Sequence, residues 1–218
     1  MNLTTDDLTM NNELRSNLRE SYNRKAQDRD RATTQAWKVE ERRNFLLLLQ
    51  QQHTRTLLEL GAGTGRDGQF FQDHGLEVTC IDLSPAMVDL CRQKGLTASV
   101  MDFGDLHFPA SSFEAVYALN CLLHLPKNEL PTVLQLIDTV LTPAGLFSMG
   151  VYGGYDQEGM WPDDAYEPRR FFAFYSDEQL QQVVTQVFDL LSFKSIPLGG
   201  ESGALHFQSL ILRKQGRR

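Results

Sequence analysis

The chain has 218 residues, of which 41% are hydrophobic and 22% are charged, and its formal net charge is −7. These values describe one medium-sized globular domain that is long enough to bury a core. Because proteins that bind duplex nucleic acid normally present a basic face, the acidic balance argues against nucleic acid as the default partner.

Residues 1–52 are polar and predict two helices. Leu14, Leu18 and Tyr22 recur at four-residue spacing, which places them on one helical face. A second helix is expected over residues 35–52, with Trp37 on its packing side. We expect this segment to close over a binding site as a lid, with Tyr22 and Trp37 facing the substrate.

From residue 53 onward, short apolar runs alternate with helical stretches. The first five expected strands are Thr56–Leu60, Glu77–Ile81, Leu96–Met101, Phe113–Leu119 and Leu146–Val151. The alternation predicts an α/β fold with a doubly wound, mostly parallel seven-stranded sheet, in which residues 53–151 form the cofactor-binding core. Residues 176–218 are expected to add a helix and an antiparallel hairpin with a Gly-Gly turn, completing a single domain over 1–218.

A glycine-rich loop follows the first expected strand and opens a helix. Its sequence is Glu59-Leu-Gly61-Ala-Gly63-Thr-Gly65. Glycine lets the backbone turn tightly and approach a ligand without a Cβ in the way. Arg66 stands where a dinucleotide-binding fingerprint has its third glycine, and the Lys-Ser/Thr ending of a phosphate-binding loop is missing. The loop therefore argues against NAD, FAD and a P-loop nucleotide.

Carboxylates end the next two strands. Asp82 lies about twenty residues after the glycine loop, where it can accept hydrogen bonds from both hydroxyls of a ribose. Asp102 and Phe103 end the third strand and suit the amine and the ring face of an adenine.

These motifs, together with Asp82-Leu-Ser-Pro-Ala-Met87 and Leu141-Thr-Pro-Ala-Gly145, resemble those of class I, Rossmann-like S-adenosylmethionine-dependent methyltransferases. The motifs occur in the family's order between Thr54 and Val151; one departure is Ala144, where many relatives have glycine. The resemblance implies that S-adenosylmethionine is the cofactor, S-adenosylhomocysteine the product, and that the cofactor is bound by Glu59, Gly61, Ala62, Gly63, Gly65, Asp82, Leu83, Met87, Asp102, Phe103 and Asn120.

His124 follows the fourth strand, in the region that lies between cofactor and acceptor in this family. Its ordinary pKa of about 6.5 suits a general base that removes a proton from the acceptor at neutral pH. The alternative is a histidine that packs beside the following helix and hydrogen-bonds to the backbone. The sequence does not decide between them.

Residues 152–175 interrupt the alternation and are the candidate substrate loop, since long irregular loops in compact domains are usually functional or disordered. With Tyr22 and Trp37, the proposed substrate-binding residues are Tyr152, Trp161, Tyr166, Arg169, Arg170 and Phe171. The arginine pair suits a carboxylate or phosphate, whereas Asp163 and Asp164 beside aromatic rings suit an amine. A structured lid whose aromatic rings only pack together is the alternative.

Methyl transfer to a small-molecule acceptor is the expected function, with an O, N, S or C nucleophile. A tRNA or protein methyltransferase and a non-catalytic S-adenosylmethionine-binding protein are the alternatives. The three scattered cysteines predict reduced thiols in a cytoplasmic protein without a metal site, and the longest apolar run, Phe45–Leu49, is too short for a membrane span. The acceptor and the oligomeric state stay open.

Overall fold

The computed structural model describes residues 5–198 and 205–216. The helices are α1 (Thr5–Arg31), α2 (Ala36–Gln51), α3 (Arg66–Asp73), α4 (Pro85–Gln93), α5 (Leu130–Val140) and α6 (Asp177–Val184). The strands are β1 (Thr56–Leu60), β2 (Glu77–Asp82), β3 (Thr97–Val100), β4 (Phe113–Leu119), β5 (Leu141–Gly153), β6 (Gln157–Met160), β7 (Phe171–Phe174), β8 (Phe188–Pro197) and β9 (His206–Lys214). The Gly-Gly turn expected between the last two strands lies outside the described residues.

Seven strands form one sheet in the order β3-β2-β1-β4-β5-β9-β8. β1 pairs in parallel with β2 and β4, while β9 pairs antiparallel with both β5 and β8. The prediction of a mostly parallel, doubly wound sheet with a C-terminal antiparallel hairpin is therefore confirmed. The strand order reverses between β1 and β4, and such a switch point opens a crevice at the carboxyl ends of the strands.

The sheet is covered on both faces, which is why its strands read as apolar runs. On one face, α2, α3 and α4 pack against the sheet through fully buried side chains such as Phe45, Phe71 and Cys91. On the other face, α5 and α6 contribute Leu134, Leu180 and their neighbours. Among the described helices, none combines the length and the apolar character needed to cross a lipid bilayer.

Several boundaries differ from those expected from the sequence; β5, for example, spans Leu141–Gly153 instead of Leu146–Val151. Residues 152–175 are not wholly irregular, because β6 and β7 form a small antiparallel sheet in which Gly159 lies opposite Phe172. The run Phe171–Phe174 has the aromatic content that favours a strand. Helix α5 begins at Leu130, after a short 3-10 turn over Leu122–His124. A proline in the first turn of α5 suits a helix start.

Candidate functional site

The glycine loop crosses the carboxyl end of β1 as bare backbone. Gly61 and Gly63 have φ angles of +60° and +55°, which residues with a Cβ rarely adopt. A Cβ on Gly61 would collide with the Cβ of Cys121, whereas one on Gly63 would meet no atom within 4 Å. The loop is thus packed tightly at Gly61 and open toward a cavity at Gly63.

Asp82, at the end of β2, holds this loop in place. One carboxylate oxygen accepts the N–H of Gly63 at 2.8 Å, and the other accepts the N–H of Ser84 at 2.8 Å. Burial raises the pKa of Asp82, and the two N–H donors oppose that rise. Each oxygen keeps a lone pair free, so the carboxylate can accept further bonds from a diol at the cavity surface.

Asn120, at the end of β4, adopts a left-handed conformation with φ of +57°. Its N–H donates to the carbonyl of Gly150 at 2.8 Å. The amide oxygen is buried and has no hydrogen-bond partner in the part of the chain that the structure describes. A buried acceptor without a donor costs free energy, so this oxygen fits a ligand that brings an N–H or O–H group.

Glu59 lies at the carboxyl end of β1, and only 3% of its surface is exposed. The Cys80 thiol donates to its carboxylate at a sulfur–oxygen distance of 3.4 Å. Burial and the neighbouring charge of Asp67 raise the pKa of Glu59 well above its ordinary value. A cationic ligand group near Glu59 would favour its ionised form.

Three cavities meet at Arg29 and Asn120, which line all of them. One is a narrow space of about 50 Å³ over Asp82, and another is a wider space of about 390 Å³ beside the glycine loop. We call these two cavities together the cofactor cleft. The third, of about 460 Å³, is the acceptor cavity; it is lined by Tyr22, Arg29, Gln35, Lys38, Asn120, Leu123, His124, Tyr152, Trp161, Asp163, Asp164, Tyr166, Arg170, Phe172, Leu198 and Leu205.

Helix α1 lies over the cofactor cleft, where Leu18 and Tyr22 line its narrow part. The Arg15 guanidinium donates to Asp102 at 2.5 Å and to Glu129 at 2.7 Å. Asp102 also accepts the N–H of Gly104 at 2.7 Å. Both carboxylate oxygens of Asp102 therefore already accept a hydrogen bond from the protein. To accept a bond from an adenine amine as well, one of these oxygens must use its second lone pair, or Arg15 must move away. Leu83 and Phe103 line the same corner of the cleft.

His124 and Tyr22 are joined by a hydrogen-bond chain between the cofactor cleft and the acceptor cavity. The Nδ1 atom lies 2.8 Å from the carbonyl of Phe171, which only accepts, so Nδ1 carries the proton. The Tyr22 hydroxyl lies 2.8 Å from Nε2, to which it donates, and accepts from Arg170 at 3.1 Å. Burial lowers the pKa of His124 to about 3, and the charges of Arg170 and Arg29 act in the same direction.

Arg170 and Asp164 form an ion pair in the wall of the acceptor cavity. The guanidinium donates through Nε at 2.9 Å and Nη2 at 2.7 Å, one bond to each carboxylate oxygen. The Arg170 N–H donates to the same carboxylate at 2.8 Å, and 3% of the Asp164 side chain is exposed. Arg170 also lies 3.6 Å from the ring centre of Tyr166. This pair neutralises itself and supports the aromatic wall.

Met87 and Gly65 were predicted to bind the cofactor but line none of the cavities described above. Met87 is fully buried and packs with Ala26 and Leu90 under α1. Gly65 is the residue before α3, and a Cβ there would touch Leu96 and the sulfur of Cys91. The left-handed conformation of Gly65 turns the chain from the loop into α3, whereas Gly61 and Gly63 line the cofactor cleft.

Three predicted substrate residues also lie elsewhere. Trp37 packs against Phe207 with ring centres 4.3 Å apart, because its side of α2 faces β9. Arg169 is exposed and does not line the acceptor cavity. Phe171 contributes its carbonyl to His124, and its neighbour Phe172 lines the cavity, since successive side chains of a strand point to opposite faces.

Sequence reasoning missed two cations in the cavity wall. Arg29 lies two helical turns after Tyr22, and this spacing on one face was the available signal. Lys38 lies next to Trp37, the residue that the sequence predicts on the packing side of α2. The mixed charges of residues 23–31 favour a solvated face, with a substrate-facing role for some of these arginines as the alternative.

Comparison with known proteins agrees with this geometry. Residues 57–145 match the sequence model of a family described as a methyltransferase domain. A demethylmenaquinone methyltransferase of Tropheryma whipplei (strain Twist) is 26% identical over 194 residues, 85% of this chain and 74% of that protein. A malonyl-[acyl-carrier protein] O-methyltransferase of Halorhodospira halophila is 32% identical over 121 residues, 51% of this chain and 40% of the relative.

A solved structure extends the similarity to the fold. The 1,6-didemethyltoxoflavin-N1-methyltransferase of Burkholderia thailandensis, crystallised with 1,6-didemethyltoxoflavin and S-adenosylhomocysteine, superposes with a TM-score of 0.67 at 23% identity, covering 91% of this chain and 88% of that one. The sheet order, the glycine loop with its strand-end carboxylates, and the family match point to one assignment. Residues 57–145 are similar to a methyltransferase domain, and the structure has the fold of the class I, Rossmann-like S-adenosylmethionine-dependent methyltransferases.

Proposed function

We propose that the protein transfers a methyl group from S-adenosylmethionine, bound in the cofactor cleft, to a small molecule held in the acceptor cavity. The observation that carries the proposal is the junction at Asn120, where both cavities meet behind the glycine loop. An acceptor in one cavity and a methyl donor in the other would face each other at this residue.

The residues of the cleft fit the cofactor. Asp82 offers carboxylate oxygens for the ribose, and Gly61 and Gly63 leave room for the methionine part. The unpaired oxygen of Asn120 and the carboxylate of Glu59 suit the ammonium group, and Phe103 and Leu83 provide an apolar surface for adenine. Bound S-adenosylmethionine supplies a methyl carbon already activated by a sulfonium. The protein therefore mainly orients the acceptor and excludes water.

The acceptor cavity suits a small molecule. Its volume of about 460 Å³ falls within the usual range for small-ligand pockets, roughly 300–1,000 Å³. The rings of Tyr152, Trp161 and Tyr166 line this cavity, and Arg170 adds a charged side chain to its wall. Two of the relatives named above are a demethylmenaquinone methyltransferase and a 1,6-didemethyltoxoflavin-N1-methyltransferase, and these names support a small conjugated acceptor.

Tyr22 and His124 position the acceptor in this proposal. His124 is neutral at pH 7, and its Nε2 atom already accepts from Tyr22. We therefore assign His124 the role of holding the Tyr22 hydroxyl at the junction of the two cavities. A cytoplasmic location belongs to the same proposal and is supported by three buried free cysteines, Cys80, Cys91 and Cys121.

The test is an assay of S-adenosylhomocysteine formation with a panel of small phenols, enols, carboxylic acids and heterocyclic N–H compounds. We expect turnover with at least one class of small acceptor. The matched variants are Tyr152→Ala, which removes a cavity wall, and Tyr155→Ala, which removes an aromatic ring outside that cavity. Turnover with tRNA or protein but with none of the small molecules would overturn the proposal.

A further inference from the structure

Among the described residues of the acceptor cavity, the positive side chains without a carboxylate partner outnumber the buried carboxylates that are free to bind a ligand. Its buried carboxylate, Asp164, is fully occupied by Arg170 and is closed to a cationic ligand. Arg29 and Lys38 line the same cavity, and neither forms an ion pair with a carboxylate of residues 12–198 or 205–216. Among these described residues, the other acid that lines the cavity is Asp163, which is exposed.

Lys38 lines both the acceptor cavity and the wider part of the cofactor cleft, so its ammonium lies close to the junction of the two. Its ammonium lies 5.8 Å from the ring centre of Tyr152 and 5.2 Å from that of Trp37. The charges around it are Arg29 on α1 and Asp67 on α3, and Asp67 is already paired with Arg42 at 2.7 Å. Burial and the nearby Arg29 lower the pKa of Lys38. An anion in the cavity would relieve this unfavourable environment.

In the part of the chain that the structure describes, neither His124 nor Tyr22 offers a free base to an acceptor in the cavity. The Nε2 atom of His124 accepts from Tyr22, and Nδ1 donates to the Phe171 carbonyl. The Tyr22 hydroxyl in turn accepts from Arg170. A proton released by the acceptor would have to reside beside Arg29 and Arg170, where positive charge is disfavoured.

We infer that the acceptor is a planar acid that binds as its anion, with its ring between the aromatic walls and its ionised atom facing Lys38. This inference rests on the proposed function and adds the class of acceptor. The ionised oxygen or nitrogen forms the new bond to the methyl carbon as the carbon–sulfur bond of the sulfonium breaks and its electron pair stays on sulfur. No proton moves in this step.

The test uses 4-nitrophenol as probe, because its phenolate and phenol forms have distinct absorption spectra. The full-length protein is titrated with the probe across a pH series, with and without saturating S-adenosylhomocysteine. We expect bound probe to ionise at lower pH than free probe, with about tenfold preference for the anion. The neutral analogue 4-nitroanisole should bind about tenfold more weakly than the phenolate.

Two charge-removing variants on α2 form the matched pair. Lys38→Met should abolish the preference for the anion, whereas Arg43→Met, which removes an exposed charge from the same helix, should keep it. Far-ultraviolet circular dichroism and thermal melting establish that both variants fold. If Lys38→Met does not fold, the comparison of 4-nitrophenolate with 4-nitroanisole on the unmodified protein decides the question.

Several results would overturn the inference. These are absence of saturable 4-nitrophenol binding, binding without a change in its ionisation, or the same preference in Lys38→Met. Loss of the preference once S-adenosylhomocysteine is bound would assign Lys38 to the cofactor instead. Failure of the proposed function is seen separately, as absence of S-adenosylmethionine binding in a parallel titration.

Discussion

At the scale of single residues, the two central glycines of the loop differ in what surrounds them. Both have positive φ angles, so a side chain costs roughly 1–2 kcal/mol at either position. At Gly61 a Cβ would also collide with Cys121, which is anchored in the core, whereas Gly63 faces open space. Glycine is therefore needed at position 61 for packing against Cys121, and at position 63 to leave space for a ligand.

We predict that Gly61→Ala lowers the free energy of unfolding more than Gly63→Ala, by about 1–3 kcal/mol, because overpacking adds to the backbone strain. Gly63→Ala should fold and lose affinity for S-adenosylmethionine, since its methyl group would occupy the cleft. Urea unfolding and calorimetric binding measure the two effects. Equal stability of the two variants would contradict the packing argument.

His124 makes folding stability depend on pH. Its pKa is about 3 in the folded protein and about 6.5 in the unfolded chain, so between these values the unfolded chain binds the extra proton. Stability should therefore be greatest above pH 6.5 and fall with decreasing pH, by up to about 1.4 kcal/mol per pH unit, until about pH 3.

Urea unfolding at pH 7 and pH 5.5 tests this dependence. His124→Gln, which does not titrate, should lose less stability over this interval than the unmodified protein. The control His107→Gln changes an exposed histidine and should keep the full loss. The same pH dependence in all three proteins would show that His124 does not titrate as described.

Site residues were predictable where they follow directly from strand ends. Asp82 was predicted because a polar residue at the end of a parallel strand lies at the edge where ligands bind, and Asn120 was implied by the resemblance to the methyltransferase family. Met87 and Trp37 were misplaced because helix rotation decides which side chain faces the cavity, and rotation is set by packing partners distant in sequence. Lys38, one position after Trp37, lines the cavity for that reason.

At the scale of elements, α1 is the part of the fold whose role depends most on polar contacts. It is held over the cleft by Arg15 at one end and by Lys94, which binds Asp30 at 2.7 Å, at the other. Asn23 adds a bond from the Ser84 hydroxyl at 2.6 Å. Contacts of this kind are weaker than core packing, so α1 is the element best suited to open for ligand exchange.

We predict that Arg15→Gln makes opening of α1 easier. Hydrogen exchange at the backbone amides of α1 should accelerate, and S-adenosylmethionine should associate faster, because Asp102 is no longer covered. Stability should change by no more than about 1–2 kcal/mol, since the ion pairs are partly exposed. Arg24→Gln, which removes an exposed ion pair with Glu20 on the same helix, is the control. Unchanged exchange in Arg15→Gln would show that these contacts do not hold the lid.

The sheet of β6 and β7 was not predicted because its signal is short and divided. Glycine weakens the pattern of β6, and the ion pair of Asp164 with Arg170 lies in the connection between the strands. This pairing places Phe172 in the acceptor cavity and brings the Phe171 carbonyl to His124.

At the scale of the whole molecule, the alternation of strands and helices was enough to predict the sheet and its parallel core. Each of these strands is an apolar run bounded by a turn, which is a local signal. How α1 and α2 dock across the carboxyl edge was not predictable in detail. Their contacts join residues far apart in the chain, such as Arg15 to Glu129 and Tyr22 to His124.

The measurement that tests the account most directly is a calorimetric titration of the full chain with S-adenosylmethionine, with NAD as the control ligand. We predict one binding site for S-adenosylmethionine, with a dissociation constant on the order of micromolar, and no binding of NAD. Asp82→Asn should bind S-adenosylmethionine at least about tenfold more weakly, because hydrogen bonds to a charged group contribute about 1.5–3 kcal/mol. Asp105→Asn, at an exposed position, should bind like the unmodified protein. Absence of S-adenosylmethionine binding by the folded protein, or binding that Asp82→Asn leaves unchanged, would contradict the assignment.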